Sequence, residues 1–209
     1  MKGLILKDIY IFGSNIKLYI IYFAFFGVFS FFSDASFFYG IVMMMLTLLS
    51  ITAASYDDMA HWPRFAVSMP LSRGQIVTAR YLFMFIMTGS AAVLLSIFNV
   101  VFSFFKTGIS LIEGFAVIGA TGSVGLLAGF VILPILYKMG AERARILMIL
   151  VMMVPYAALM LANALGVKLP AWLMHMPPAV YVALVLALLV GGGLISFGVS
   201  RNIFEKKDL

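Results

Sequence analysis

The chain has 209 residues, of which 64% are hydrophobic and only 11% are charged. A soluble domain has roughly 25% charged residues, so this composition excludes an ordinary soluble protein and indicates one that lies mostly within a membrane. The formal net charge is +6, but its distribution follows a membrane topology, so no nucleic-acid partner is expected. Cysteine is absent, which excludes disulfides, thiolate metal sites and thiol nucleophiles.

Residues 1–15 place apolar side chains at helical spacing and predict an interfacial helix along the membrane surface. On that helix Ile5, Ile9 and Phe12 would face lipid, whereas Lys7 and Asp8 would face water. A simple flank that sets the topology of the first span is an equally good interpretation.

Six apolar segments follow, and each approaches the roughly 20 residues that a helix needs to cross a bilayer core about 30 Å thick. They predict an all-α polytopic membrane protein, with six transmembrane helices in a single domain over residues 1–209. The predicted spans are Ile16–Phe32, Phe37–Ser55, Tyr81–Phe105, Gly114–Tyr137, Ile146–Leu165 and Ala179–Ser200.

The loops carry their basic residues on alternate sides of the predicted membrane. Of the 14 Lys and Arg residues, all except Lys106 and Lys168 fall on the side of both termini. The positive-inside rule therefore predicts that both termini are cytoplasmic in a bacterial plasma membrane, and contact with anionic lipid headgroups is the next role expected of these residues. The cytoplasmic side then presents a loop, residues 56–80, and a second turn, residues 138–145.

Residues suited to catalysis are scarce. His61 and His175 fall on opposite sides of the predicted membrane and cannot share a metal ion. No glycine is followed directly by lysine, so the phosphate-binding pattern GxxxxGK[ST] is absent. The predicted span interiors contain no Asp, Glu, Arg or His, which disfavours an ion-coupled carrier. We expect no catalytic residue, no metal site and no cofactor bound by this chain.

The loop of residues 56–80 is the most informative segment. Asp57 and Asp58 open it, just beyond the second predicted span. Trp62–Met69 predicts a short amphipathic helix, because Pro63 is tolerated in a first helical turn and Pro70 prevents continuation. This helix would lie flat at the cytoplasmic membrane surface.

Ser72 and Gln75 have the S-x-x-Q spacing of a capping box, which predicts the start of the helix that enters the third span. A stiff element between two spans is able to transmit a push from a soluble partner into the bundle. An ordinary interfacial connection between two helices is the alternative interpretation.

The ordered motifs of this chain resemble those of type-2 ABC transporter permeases, the six-span membrane subunits of bacterial ABC exporters. The matching residues are Asp57-Asp58, Trp62, Met69-Pro70-Leu71-Ser72-Arg73, Ile76–Tyr81 and, in the second turn, Pro134, Lys138, Gly140, Glu142 and Arg145. Met69 replaces the commoner leucine. The sequence is most similar in character to permeases of exporters for small amphipathic peptides, such as phenol-soluble modulins.

The resemblance implies a permease dimer, either homodimeric or heterodimeric, above separate ABC ATP-binding subunits that hold ATP and Mg. It also implies that a coupling helix in residues 56–80 and the turn at residues 138–145 contact the ATPase. The contact residues that it implies are Asp57, Asp58, His61, Trp62, Arg64, Ser72, Arg73, Gln75, Glu142, Arg143 and Arg145. The implied substrate is amphipathic or hydrophobic, with a peptide favoured.

Neutral polar residues within the spans either line a translocation path or hydrogen-bond between helices, and we favour the second. These residues are Ser96, Asn99, Ser103, Thr121, Ser123 and Asn163. Gly125 and Gly129 form a GxxxG pair that we expect to serve helix packing. Two other functions remain open from the sequence: a small secondary carrier or channel, and a membrane scaffold without transport activity.

Overall fold

The computed structural model describes residues 2–14, 16–32, 35–62, 65–66, 72–105, 110–140, 143–144, 150, 153, 161, 164–165 and 177–206. These residues form helices and short connections, with no strand among them, as the predicted all-α fold requires. The helices are α1 (Lys2–Ser14), α2 (Ile16–Phe32), α3 (Ala35–Thr47), α4 (Leu49–Met59), α5 (Arg73–Phe105), α6 (Leu111–Met139) and α7 (Pro178–Glu205).

Within the described part of the chain, four segments are long and apolar enough to cross a membrane: Ser36–Met59, which joins α3 and α4, and the helices α5, α6 and α7. They correspond to the second, third, fourth and sixth predicted spans. Helix α2 coincides with the first, but its 17 residues give only about 26 Å of helix, less than the hydrocarbon core. The fifth predicted span, Ile146–Leu165, lies almost wholly outside the described residues.

The second predicted span contains a turn. Helix α3 ends at Thr47, Leu48 is a turn residue, and α4 continues to Met59, about one turn beyond the predicted end at Ser55. The Leu48 N–H donates to the Met44 carbonyl at 2.9 Å, whereas the Ile51 N–H donates to the Leu48 carbonyl at 3.0 Å. The backbone hydrogen bonds therefore tighten at Leu48 to one between residues i and i−3. Helix α4 then carries Asp57 and Asp58 in its last turn.

Helix α6 lies at the centre of the described bundle and packs against α3, α5 and α7. Its glycines permit this close approach, as predicted for helix packing. A Cβ added at Gly125 would lie 3.1 Å from Thr47 Oγ1, and one at Gly129 would overlap the Met84 sulfur. The neighbouring core consists of large apolar side chains of α3 and α5, including the fully buried Phe38 and Phe83.

One end of the bundle gathers α1, the end of α4, and the start of α5, and we call it the Arg80 end. Arg80 of α5 contacts both Asp8 and Asp57 there, and Arg73 contacts the last turn of α7 at Glu205. The N-terminal and C-terminal helices thus meet the same end of the bundle, which agrees with the predicted placement of both terminal segments on one side.

The predicted helix at residues 1–15 is present as α1, but the prediction that Asp8 faces water is wrong. Asp8 is only 3% exposed. The carboxylate of Asp8 faces inward, where it pairs with the guanidinium of Arg80. Without Asp8, the buried positive charge of Arg80 would be less well neutralised.

Candidate functional site

The Arg80 end is organised around a buried guanidinium. Arg80 lies two turns inside α5, and its side chain is 9% exposed. Its Nη1 donates a hydrogen bond to Asp8 Oδ2 at 3.0 Å, and its Nη2 donates to Asp57 Oδ2. One arginine therefore joins α1, α4 and α5 through charge-assisted hydrogen bonds, which are the strongest kind in proteins.

Lys7 completes this ionic cluster. Its Nζ donates to Asp57 Oδ1 and lies 3.8 Å from the centre of the Trp62 ring, a cation–π distance. The same Nζ lies 3.3 Å from Asp8 Oδ1, which is an ion-pair distance without hydrogen-bond geometry. Lys7 therefore links α1 to Trp62, in the loop after α4.

The four charges of the ionic cluster, those of Lys7, Asp8, Asp57 and Arg80, sum to zero. Such a neutral arrangement is tolerated in the interior, but removing one partner of a buried pair costs about 3–5 kcal/mol. Asp8 Oδ1 is buried and accepts no hydrogen bond from the described residues. Burial raises the pKa of Asp8 above its ordinary 3.8, because desolvation outweighs the attraction of Arg80 and Lys7.

The cluster bears on two residues that the sequence analysis singled out. Asp57, a predicted ATPase contact, is 6% exposed, and its carboxylate binds Arg80 and Lys7. Arg80, one of the basic residues that predict the cytoplasmic side, is 7% exposed. Both residues act inside the chain, because the nearest compensating charges lie on neighbouring helices.

The chain reverses sharply after α4. His61 has a φ of 51°, in the left-handed region that a non-glycine residue rarely adopts. Its N–H donates to the Asp58 carbonyl at 3.1 Å, and the Ala60 N–H donates to the Tyr56 carbonyl at 3.0 Å. This turn leaves the His61 side chain exposed and directs Trp62 back over Lys7.

The two predicted cytoplasmic segments lie side by side. Gly140 ends α6 with a φ of 80° and donates its N–H to the Leu136 carbonyl at 2.9 Å. A Cβ added at Gly140 would lie 3.4 Å from Asp58 Oδ2. The last turn of α4 and the residue at which α6 ends therefore lie next to each other, and Arg143, three residues further along the chain, is exposed.

The predicted capping box is confirmed. The Gln75 N–H donates to Ser72 Oγ at 3.2 Å, and the Ser72 N–H donates to Gln75 Oε1 at 3.1 Å. Both side chains are exposed. Because these reciprocal bonds satisfy two N–H groups that a helix end leaves unpaired, α5 begins at a defined residue, Arg73.

Arg73 has a structural role that the sequence did not reveal. Its Nη1 donates to the Phe204 carbonyl at 3.2 Å and to the Glu205 carbonyl at 2.6 Å. These carbonyls belong to the last turn of α7, whose partial negative charge favours a cation. Arg73 therefore joins the start of α5 to the end of α7, in addition to any contact with a partner.

Among the implied ATPase-contact residues, His61, Ser72, Gln75 and Arg143 are exposed. Asp58 and Trp62 are partly buried, and Trp62 lies against Lys7 of the ionic cluster. Arg64, Glu142 and Arg145 lie outside the described residues, as does most of the predicted helix Trp62–Met69. Within that helix Trp62, Phe65 and Ala66 are helical, and Ala66 is fully buried whereas Phe65 is 59% exposed.

The neutral polar residues of the spans make hydrogen bonds within the bundle. Asn99 is 2% exposed, accepts a hydrogen bond from the Tyr39 hydroxyl at 2.9 Å and donates to the Leu111 carbonyl at 3.2 Å. It thus joins α5 to α3 and to the start of α6. Thr47 and Thr88, which the sequence analysis did not single out, share a hydrogen bond of 3.1 Å between their hydroxyls.

The remaining polar candidates lie on single helices. The hydroxyls of Ser103, Thr121 and Ser123 donate to carbonyls of their own helix, at 2.7, 2.8 and 2.8 Å. Ser96 is half-buried on α5, and Asn163 lies outside the described residues. These placements do not gather the candidates into one polar channel among the described residues.

A sequence signal for the ionic cluster did exist. The capping box fixes the start of α5, so Arg80 falls on the same helical face as Val77, Tyr81 and Met84, all of which are buried. A charge on an apolar face at this spacing requires a counter-charge. The sequence offered several carboxylates but no means of choosing among them.

Comparison with known proteins gives the family. The family model described as ABC-2 family transporter protein matches residues 3–205, nearly the whole chain. No curated protein matches the chain, and no solved structure matches it. The match covers the ionic cluster, the loop after α4 and all four membrane-length segments. The chain therefore belongs to the ABC-2 family of transporter proteins.

Proposed function

We propose that this chain is the membrane-spanning permease subunit of an ATP-driven exporter, and that a separate ABC ATP-binding subunit docks at the Arg80 end. The observation that carries the proposal is the match to the ABC-2 family over residues 3–205. The absence of a phosphate-binding loop from the sequence means that ATP and Mg would be held by the partner subunit.

The docking surface in this proposal is the combined surface of the loop after α4 and the turn after α6. His61, Gln75 and Arg143 supply exposed polar groups there, and Asp58 lies beside Gly140 at their junction. The capping box fixes the start of α5 where the loop ends. A fixed helix start can pass a displacement of the loop to α5.

The ionic cluster provides the connection to those helices. A displacement of the loop would act on α4 through Asp57, on α1 through Lys7 and on α5 through Arg80. Because buried charges lose several kcal/mol when separated from their partners, the three helices would move together. ATP binding by the partner would in this way change the packing of the membrane helices.

Purification of the tagged chain from its host in mild detergent, followed by mass spectrometry, tests the partnership. We expect a stoichiometric protein with a phosphate-binding loop, and ATPase activity in the complex. Recovery of the chain alone, with transport activity in liposomes that lack ATP, would instead establish a secondary carrier or channel. A stable complex without ATPase activity or substrate flux would indicate a scaffold.

A charge reversal tests the docking surface. Arg143→Glu combined with His61→Glu should reduce ATPase recovery while leaving the chain folded in the membrane. Glu113→Arg, an exposed charge reversal near the start of α6, is the matched control and should leave recovery unchanged. Arg73 is unsuitable for this test because its loss would also release the last turn of α7.

The orientation is testable because the chain contains no cysteine. We propose that the Arg80 end is cytoplasmic in a bacterial plasma membrane, which the positive-inside rule supports. A membrane-impermeant maleimide should label Glu113→Cys in intact cells and label Lys206→Cys only after the membrane is opened. Labelling in the reverse order would invert the topology and remove the proposed docking surface from the ATPase side.

For the substrate we propose an amphipathic or hydrophobic molecule, with a peptide favoured, carried by a pair of permease subunits. The polar residues of the described spans are bonded within the chain, which supports a path formed between subunits rather than a polar channel through one bundle. ATP-dependent accumulation of a fluorescent amphipathic peptide in inverted vesicles is the expected result. Accumulation in right-side-out vesicles alone would indicate import.

A further inference from the structure

An apolar groove opens between α5 and α7, with α6 as its floor. Its volume is about 440 Å³, within the range of sites that hold small molecules. Its lining is mainly apolar and includes Leu82, Phe85, Phe130, Val190, Leu194 and Phe197. It is distinct from the ionic cluster and has no role in the proposed docking of an ATPase.

The groove faces the outside of the described bundle. On its rims, Phe85 is 47% exposed and Leu194 is 69% exposed. Because α5 and α7 both have the length and hydropathy of membrane spans, the medium next to this opening is lipid rather than water. An apolar ligand can therefore enter the groove sideways, from the membrane.

The polar groups in the wall are already bonded. The Tyr81 hydroxyl shares hydrogen bonds with Ser196 at 2.6 Å and with Ser200 at 2.8 Å. Gly193 of α7 lies so close to Phe130 on the floor that an added Cβ would be 3.1 Å from the ring. The groove thus presents hydrocarbon, and a hydrocarbon chain is the ligand that its surface recognises.

Arg201 provides a positive charge at the Arg80 end of the groove. Val190, Leu194, Phe197 and Arg201 follow one another at helical spacing along one face of α7. Arg201 is exposed, and a Cβ added at Gly74 would lie 3.7 Å from its Nε, so the guanidinium lies over the start of α5. The rise from Val190 to Arg201 is about 16 Å, close to the thickness of one leaflet of a hydrocarbon core.

We propose that this groove is a binding site for an anionic phospholipid of the leaflet at the Arg80 end. One acyl chain lies between α5 and α7, and the phosphate meets the guanidinium of Arg201. Arg201 uses its Nε–H in the 2.8 Å bond to Glu205, and a guanidinium has four further N–H donors suited to phosphate. The proposal requires only that α5 and α7 span the membrane and does not rest on the proposed ATPase partner.

Native mass spectrometry of the purified chain tests this proposal, in micelles supplemented with either phosphatidylglycerol or phosphatidylcholine. We expect one retained phosphatidylglycerol per chain at concentrations where phosphatidylcholine is not retained. Arg201→Gln should weaken phosphatidylglycerol retention about ten-fold, because a charge-assisted bond to the phosphate is lost. Lys206→Gln removes the same charge from the exposed end of α7 and should have little effect.

A second pair of variants tests the groove itself. Leu194→Trp fills it and should abolish retention of the lipid. Ile195→Trp places the same side chain at the next position, which is 70% exposed and does not line the groove, and should retain the lipid. Gel filtration and thermal unfolding establish that both variants fold.

Three results would overturn the proposal. Equal retention of the two lipids by the unmodified chain would remove the role of Arg201. Lipid retention by folded Leu194→Trp would place the bound lipid elsewhere. Loss of a dimer in Leu194→Trp with unchanged lipid retention would make the groove a subunit contact.

Discussion

Arg80 of α5 donates a hydrogen bond to Asp8 of α1 at 3.0 Å, across 72 positions of sequence. The same guanidinium binds Asp57, so the first helix of the chain is attached to the element that leads into the loop after α4. In the proposed docking, this attachment would connect the loop after α4 directly to α1.

The first prediction concerns loss of the central cation. Arg80→Ala leaves Asp8 and Asp57 buried beside Lys7 alone, and should lower the free energy of unfolding by about 3–5 kcal/mol. This change is measured as the melting temperature in detergent, with unfolding monitored by size-exclusion chromatography. The triple variant Arg80→Met with Asp8→Asn and Asp57→Asn should recover most of the loss. An unchanged melting temperature for Arg80→Ala would contradict the buried ionic cluster.

The second prediction concerns the pH dependence of stability. The pKa of Asp8 is raised above 3.8 in the folded chain, so the folded chain binds more protons than the unfolded chain between the two pKa values. The stability of the unmodified chain relative to Asp8→Asn should therefore fall as the pH rises through this window. Melting temperatures of the two proteins over a pH series measure the difference, and a difference independent of pH would exclude the raised pKa.

The third prediction concerns the capping box. Ser72→Ala removes the acceptor of the Gln75 N–H and should destabilise the start of α5 by about 1 kcal/mol. Hydrogen–deuterium exchange should accelerate in the first turn of α5. Ser103→Ala is the control, because its hydroxyl donates to the Val100 carbonyl at the opposite end of α5. Equal exchange in both variants would show that the cap contributes little.

The fourth prediction concerns helix packing at Gly129. A Cβ at this position would overlap the Met84 sulfur, so Gly129→Ala should destabilise the chain by about 1–3 kcal/mol. Gly119→Ala, on the same helix with no atom within 4 Å of the added Cβ, should be neutral or slightly stabilising. Thermal unfolding of the pair measures the contrast, and similar melting temperatures would argue against close packing of α5 on α6.

Short sequence patterns correctly predicted features that depend on a single turn or a single helix. The S-x-x-Q spacing of Ser72 and Gln75 predicted the start of α5, because a capping box involves one turn of one helix. Length and hydropathy predicted the four membrane-length segments, because these properties also belong to single elements. The GxxxG pair of Gly125 and Gly129 predicted close packing, although not which helices would approach.

Relationships between helices were beyond those patterns. The sequence placed Asp8 at the water-facing side of α1 and Asp57 among the predicted ATPase contacts, whereas both are buried against Arg80. The turn at Leu48 and the contact of Arg73 with the end of α7 were likewise unexpected. In each case the partner lies on another part of the chain, where periodicity gives no information.

The sequence alone therefore determined that the chain is an all-α membrane protein, which segments are apolar enough to span, where α5 starts and which family its motifs resemble. Only the tertiary structure decided which charges are buried together and which remain at the surface. The physical reason is that hydrophobicity and helix capping act within a turn or a span, whereas the pairing of Asp8, Asp57 and Arg80 depends on the packing of three helices that bring distant residues to one end of the bundle.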